Sequence, residues 1–264
     1  MLAFIIPLKS SQVSGSWDLV CKLFERTLRS VCSQTSLSFH VIVVCHERPK
    51  ISFHSPQVTY LQVDFPLPGA EYVSKERDRR LKVQVGLIHA KKLSASHVMF
   101  VDADDCVSNR LAKFVSENSK QNGWFLNRGY DYREDIQLLR IRNKNLHLRT
   151  GSSHIIRLNL LEPEVLLPPD QLKISNCVLN HVDTVRILKK RGSPLKPLPF
   201  KGVIYVTDNG ENIWWNQESR RKKNSLKETS INIFKDLYQS FIARPVTESI
   251  RDEFGLYSID IKRI

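Results

Sequence analysis

An α/β fold with a mostly parallel sheet is predicted by three observations on this 264-residue chain. Short apolar runs (Ala3–Ile6, Val41–Cys45, His97–Val101) lack the apolar–polar alternation of a half-exposed strand, as expected for strands covered on both faces. Segments with helical period separate them. The last run ends abruptly in Asp102-Ala103-Asp104-Asp105, which places carboxylates at a strand's carboxyl end, where open parallel sheets hold their ligands.

The elements follow in order. Ala3–Ile6 reads as a first strand, and Ser16 caps a helix through Val20, Phe24, Thr27, Leu28 and Val31. Val41–Cys45 is a second strand and Val58–Val63 a third, ending at Asp64-Phe65-Pro66. A basic helix over Lys75–Lys92 presents Leu81, Val85 and Ile88 as its apolar face, and His97–Val101 then delivers the acids. Ser108 is placed to cap the next helix, with Leu111, Phe114 and Val115 inward. The first ~110 residues thus describe a doubly wound half suited to a nucleotide.

Beyond Asn122 the pattern is irregular, with Gly129-Tyr130-Asp131-Tyr132 and the turn Thr150-Gly151-Ser152-Ser153. A helix is expected over Gln171–Lys190, capped by Asp170 and stopped by Gly192, followed by Pro194–Pro199 and a strand at Val203–Val206. Asn209-Gly210 marks a turn. The division is therefore 1–122 as a nucleotide-binding half, 123–210 as a substrate-shaping half of the same domain, and 211–264 as a mobile basic segment with a C-terminal amphipathic helix carrying Ile231, Phe234, Leu237, Tyr238 and Phe241. Trp214-Trp215 reads as a lid.

The formal charge of +13 attracts phosphorylated substrates, anionic lipid or nucleic acid alike. No zinc-finger, helix-turn-helix or aromatic-basic RNA-binding signature accompanies it, so no specific nucleic-acid partner is expected. Five dispersed cysteines without a Cys-x-x-Cys pair argue for reduced thiols, against a zinc site and for a cytoplasmic protein. Met1–Ile6 is too short for a signal-peptide core, and no run approaches the ~20 apolar residues of a membrane span.

An Asp-x-Asp-Asp cluster suits a hard divalent ion, Mg²⁺ or Mn²⁺, that keeps positions open for diphosphate oxygens. Further donor-site candidates lie at strand ends: Pro7, Lys9, His46, Glu47 and Asp64. Lys82 is a candidate phosphate contact, and Asp183 or His181 a candidate base. Asp105 either contacts a metal-bound water or completes the turn.

Several of these segments together resemble the GT-A glycosyltransferases of the family 2 type. The carriers are Phe4-Ile5-Ile6-Pro7, Arg26-Thr27-Leu28-Arg29-Ser30-Val31 with Gln34-Thr35, Val41-Ile42-Val43-Val44, Lys82 with Gly86-Leu87 and Ala90, and Val98-Met99-Phe100-Val101-Asp102-Ala103-Asp104-Asp105. Gly151-Ser152, His181 with Asp183, and Pro197–Phe200 match more loosely, and the Glu-Asp pair usual before the late helix is missing. The resemblance implies a GT-A fold and inverting, metal-dependent transfer from a nucleotide sugar such as a UDP-sugar to a glycan or lipid-linked acceptor in polysaccharide biosynthesis, with peripheral contact to an anionic membrane. It implies that Asp102, Ala103, Gly151 and Ser152 contact the donor and that Asp102 and Asp104 hold the metal. A sugar nucleotidyltransferase is the enzymatic rival, but Pro7–Ser16 offers one glycine and no arginine where such enzymes carry a basic, glycine-rich loop. A non-catalytic basic nucleic-acid-binding protein is the rival from another class.

Overall fold

The computed structural model describes residues 1–168, 171, 173, 175–212 and 243–260. Its main sheet has seven strands: β1 (Leu2–Pro7), β2 (Phe39–Cys45), β3 (Val58–Gln62), β4 (His97–Phe100), β6 (Gly123–Phe125), β9 (His154–Arg157) and β10 (Lys196–Pro197). They lie in the order β10-β6-β9-β4-β1-β2-β3. The run β3-β2-β1-β4 is parallel, and β9 is antiparallel to both of its neighbours. A second sheet, β5 (Cys106–Val107), β11 (Val203–Thr207), β7 (Gly129–Arg133) and β8 (Leu138–Arg142), packs in that order. The α/β class with a largely parallel sheet is as the sequence predicts.

Side-chain alternation along β1 explains the two-sided packing. Leu2, Phe4 and Ile6 join the core with Phe24, Leu28 and Val31 of α1 (Trp17–Cys32), while Ala3 and Ile5 join Val83, Leu87 and Ala90 of α2 (Tyr72–Lys92). At about 25 cal/mol per Å² of apolar surface, burying a strand on both faces is worth more than any single polar contact nearby. Ser16 caps α1 by accepting from Leu19 N at 3.3 Å. Gly86 is where α2 crosses β1, since a Cβ there would lie 2.4 Å from Ile5 Cγ2.

Three expectations need correction. The inward face of α2 is Val83, Gly86, Leu87 and Ala90, whereas Ile88 is exposed and Leu81 and Val85 are half-buried. The apolar stripe misleads because charged residues share the buried side: Lys82 and Asp78 pair there at 2.7 Å. The helix α3 (Leu111–Glu117) begins after Arg110 without a side-chain cap, and Ser108 instead donates to Glu253 at 2.6 Å. The long helix expected over 171–190 shrinks, among the described residues, to α5 (Thr184–Lys190), after α4 (Glu162–Leu166). Asn176 takes a left-handed conformation (φ 53°), and Thr184 Oγ1 donates to Val178 O and Asn180 O, so side-chain bonds replace the helical ladder there. Gly192 (φ +75°) ends α5 as expected.

Asp170, Trp214-Trp215, the basic residues Arg220–Lys223 and the helix expected through Ile231–Phe241 lie outside the described residues. The described C-terminal helix is instead α6 (Glu248–Phe254), capped by Thr247 and packed on the second sheet through Phe254. No described helix is long and apolar enough to cross a membrane.

Candidate active site

The carboxyl ends of β1, β2 and β4 converge because these strands are parallel neighbours, and each releases a loop at the same edge. Val101 N still donates to Ile5 O at 3.0 Å, so the ladder holds until the residue before the acids. The chain then turns, closed by Asp105 N on Asp102 O at 3.1 Å, and enters β5 of the second sheet. The acids therefore sit on a turn tied to both sheets.

Their three environments differ. Asp102 Oδ1 accepts from Arg79 Nε (3.3 Å) and Nη2 (3.0 Å), while its backbone N–H donates to Ser152 Oγ at 2.8 Å. A Cβ on Gly151 would lie 2.4 Å from Arg79 Nη2 and 2.8 Å from Asp102 Oδ2, so any larger residue there would displace the Arg79–Asp102 pair. Asp104 Oδ2 accepts from Asn209 Nδ2 (2.7 Å) and Asn212 Nδ2 (2.8 Å). Asp105 is fully buried, with Oδ2 accepting from Thr150 Oγ1 at 2.7 Å and Oδ1 from Val206 N at 2.9 Å. Asp105 thus completes the turn, whereas Asp102 Oδ2 and Asp104 Oδ1 have no hydrogen-bond partner among the described residues.

The electrostatics agree. Burial, then the charge of Asp102, pushes the Asp104 carboxyl up to about 6, with Asn209 opposing. Burial and both neighbouring acids push Asp105 well above the ordinary range. Arg79 is held firmly protonated, because Asp102 and Glu76 outweigh the effect of its burial. Tyr205 stands close enough that, after burial, the three acids raise its phenol further. Asp105→Asn is expected to stay within about 1 kcal/mol of wild type, since an amide can keep both contacts. Asp105→Ala, which strands Val206 N–H and Thr150 Oγ1, should cost about 2–4 kcal/mol in urea unfolding.

A metal at this turn would have two carboxylates to bind, with hard oxygen atoms still free. Among the described residues no three His, Cys, Asp or Glu side chains cluster to form a closed metal cage. That donor set fits Mg²⁺ or Mn²⁺, which are commonly held by one or two carboxylates while phosphate oxygens and water complete the shell.

The remaining sequence-predicted residues divide. His181 lies within electrostatic reach of Asp102: burial and Arg79 lower its pKa, Asp102 and Glu76 oppose this, and its Nε2 is buried without a partner among the described residues. With Arg79, Gly151, Phe100, Thr184 and the buried His154 it lines a cavity of about 10 Å³, room for about one water molecule. Asp183 is otherwise engaged, its carboxylate accepting from Arg186 Nη2 (2.5 Å) and Asn176 N (2.8 Å), which lowers its pKa and its basicity. Lys82 requires the clearest correction. Its ammonium is buried on Leu8 O (2.8 Å) and Asp78 Oδ2 (2.7 Å), and Arg79, one helical turn earlier, is the α2 cation that reaches Asp102.

On the β1–β2 side, Glu47 braces the loop after β1 by accepting from Ser10 Oγ (3.0 Å) and Ser11 N. Lys9 pairs with Glu211 and donates to its carbonyl at 3.0 Å. His46 Nε2 contacts Phe65 O at 3.0 Å, its ring edge-on to Phe65, while Nδ1 is buried without a partner among the described residues. Asp64 is exposed, and Pro7 and Ala103 are half-buried beside the site. Sequence reasoning missed Arg79, Asn209, Asn212 and Glu211. Asn209-Gly210 signalled only a turn, and Arg79 was one cation among many in a basic helix. A cavity of about 580 Å³ between α1 and Tyr257–Asp260 includes none of these residues.

His147, His154 and His181 are all pulled down chiefly by burial, His154 most strongly. Their folded pKa values lie below the unfolded value of about 6.5, so the unfolded chain binds more protons and stability falls as pH drops below that value. Melting from pH 7.5 to 5 should show this loss, and His154→Phe should reduce it.

No protein-family model matches the chain, and no curated relative matches it. Similar solved structures include S. aureus TarS, at 14% identity and a TM-score of 0.41, over 78% of this chain and 36% of that one, so the present chain spans about a third of TarS. Rv0371c from Mycobacterium tuberculosis H37Rv aligns at 9% identity and TM-score 0.43, over 83% and 95% of the two chains. A Bacillus anthracis protein assigned as a glucose-1-phosphate thymidylyltransferase, solved with sucrose, aligns at 11% and 0.44, over 85% and 96%.

Proposed function

We propose that this protein is a metal-dependent, inverting glycosyltransferase that moves a sugar from a nucleoside-diphosphate sugar, a UDP-sugar being the first to try, to a glycan or lipid-linked acceptor. One observation carries the reading: two carboxylates at the end of a parallel strand, each fixed through one oxygen and with no partner among the described residues at the other, beside a half-buried guanidinium. The metal, when bound, would neutralise charge on the departing diphosphate. Asp102 and Asp104 would hold it, and Arg79 would fix Asp102 while adding a permanent positive charge near the phosphates.

His181 is the better-supported base. Burial lowers its pKa, which favours the neutral imidazole, and opening of the small cavity around the buried Nε2 would let that atom take the acceptor's hydroxyl proton. As the acceptor oxygen bonds to the anomeric carbon, the bond to the diphosphate oxygen breaks and its electron pair leaves with the nucleotide, which inverts that carbon. The charge of +13 supports an approach to an anionic membrane bearing a lipid-linked acceptor.

The nucleotidyltransferase alternative is separated by its by-product. Incubation with nucleotide sugars and Mn²⁺ should release nucleoside diphosphate. Pyrophosphate released from a nucleoside triphosphate and a sugar 1-phosphate would establish the alternative instead.

A further inference from the structure

The segment after β11 touches both sides of the candidate donor site at once. Asn209 and Asn212 donate to Asp104, and the Asn209 amide cannot be turned round, because its Oδ1 accepts from Glu211 N (2.9 Å) and Asn212 N (3.1 Å). Asn212 is fixed likewise, its Nδ2 also donating to Val206 O at 3.1 Å. Between them the chain projects Glu211 the other way. Its carboxylate accepts from Ser16 N (2.6 Å), Gly15 N (3.3 Å) and the Lys9 ammonium, and only 8% of that side chain is exposed.

We infer that residues 209–212 form a clasp that holds Asp104 ready for a metal–diphosphate ligand and, through Glu211, couples that acid to the loop between β1 and α1. The inference rests on the proposed donor site. Two negative charges as close as Asp102 and Asp104 repel, and two fixed amide donors offset that repulsion before any ligand arrives. Glu211 neutralises Lys9 and satisfies two backbone N–H groups at the start of α1. Asn209, Asn212 and Glu211 are thus positioning residues, acting through Asp104 and through the loop.

The test pairs a direct binding measurement with a local one. Titration calorimetry of UDP, GDP, CDP, ADP and dTDP with Mn²⁺ gives affinities for wild type, Asn212→Ala and Glu211→Gln. Hydrogen exchange reads the Gly15 and Ser16 amides. The clasp predicts a loss of affinity of about tenfold in Asn212→Ala, from one charge-assisted hydrogen bond. It predicts a severalfold loss in Glu211→Gln with faster exchange at Gly15 and Ser16. It also predicts that nucleotide with Mn²⁺ slows that exchange in wild type. If wild type binds a nucleotide and both variants match it within twofold, the clasp is wrong while the donor site stands. If wild type binds none of the five, the donor site fails and the coupling with it, whatever the exchange rates show.

Discussion

Asp104→Ala is expected to lower sugar transfer by about a hundredfold or more, because the carboxylate that would hold the metal against the leaving diphosphate is gone. The melting temperature should stay near that of wild type. Asp104 sits in a place that disfavours its own charge, as its upward shift to about 6 records. A raised carboxyl contributes least to stability above its folded pKa, where it is ionised. Removing it at pH 7 relieves repulsion with Asp102 and sacrifices the two amide contacts, so the effects oppose. A carboxylate kept at a cost to the fold is what a functional role would require. Activity assays with thermal melts check both halves; a large fall in melting temperature would make Asp104 a structural residue.

The second large effect concerns stability. Arg26 and Glu134, both fully buried, face each other at 2.6 Å. Arg26 Nη1 also donates to Tyr257 O at 2.9 Å, and Ile259 N donates to Glu134 Oε1 at 3.2 Å. This pair joins α1, the turn after β7 and the C-terminal segment. Glu134→Ala leaves a guanidinium uncompensated in the interior, which should cost about 3–5 kcal/mol and lower the melting temperature by roughly 10 °C. Arg26→Met with Glu134→Leu should recover much of the loss, since the penalty comes from the orphaned charge more than from the missing pair. Calorimetric melts of the two variants decide this.

Legibility in the sequence followed the physics of each residue. The strands β1, β2 and β4 were readable because burial on both faces demands unbroken apolar runs, and Asp102–Asp105 stood out where such a run stops. The inward face of α2 was not, because Lys82 and Asp78 neutralise each other only once the helix is packed. The burial of Arg26 has no local sequence signal either, because its partner is 108 positions away (134 − 26). Asn209 and Asn212 reach Asp104 from more than a hundred residues downstream, and no local pattern encodes that meeting. His181 and Asp183 were indistinguishable as neighbours in sequence. The fold separates them by giving Asp183 to Arg186 and burying His181 Nε2 with no partner among the described residues.

The most direct test of the central claim is a thermal melt of wild type and Asp104→Ala with UDP, GDP, CDP, ADP and dTDP, each with and without Mn²⁺, because a ligand that binds only the folded state must raise its melting temperature. The donor-site account predicts a rise with one nucleotide that requires Mn²⁺ and disappears in Asp104→Ala. The same rise in the variant, or none with any nucleotide in wild type, would contradict it.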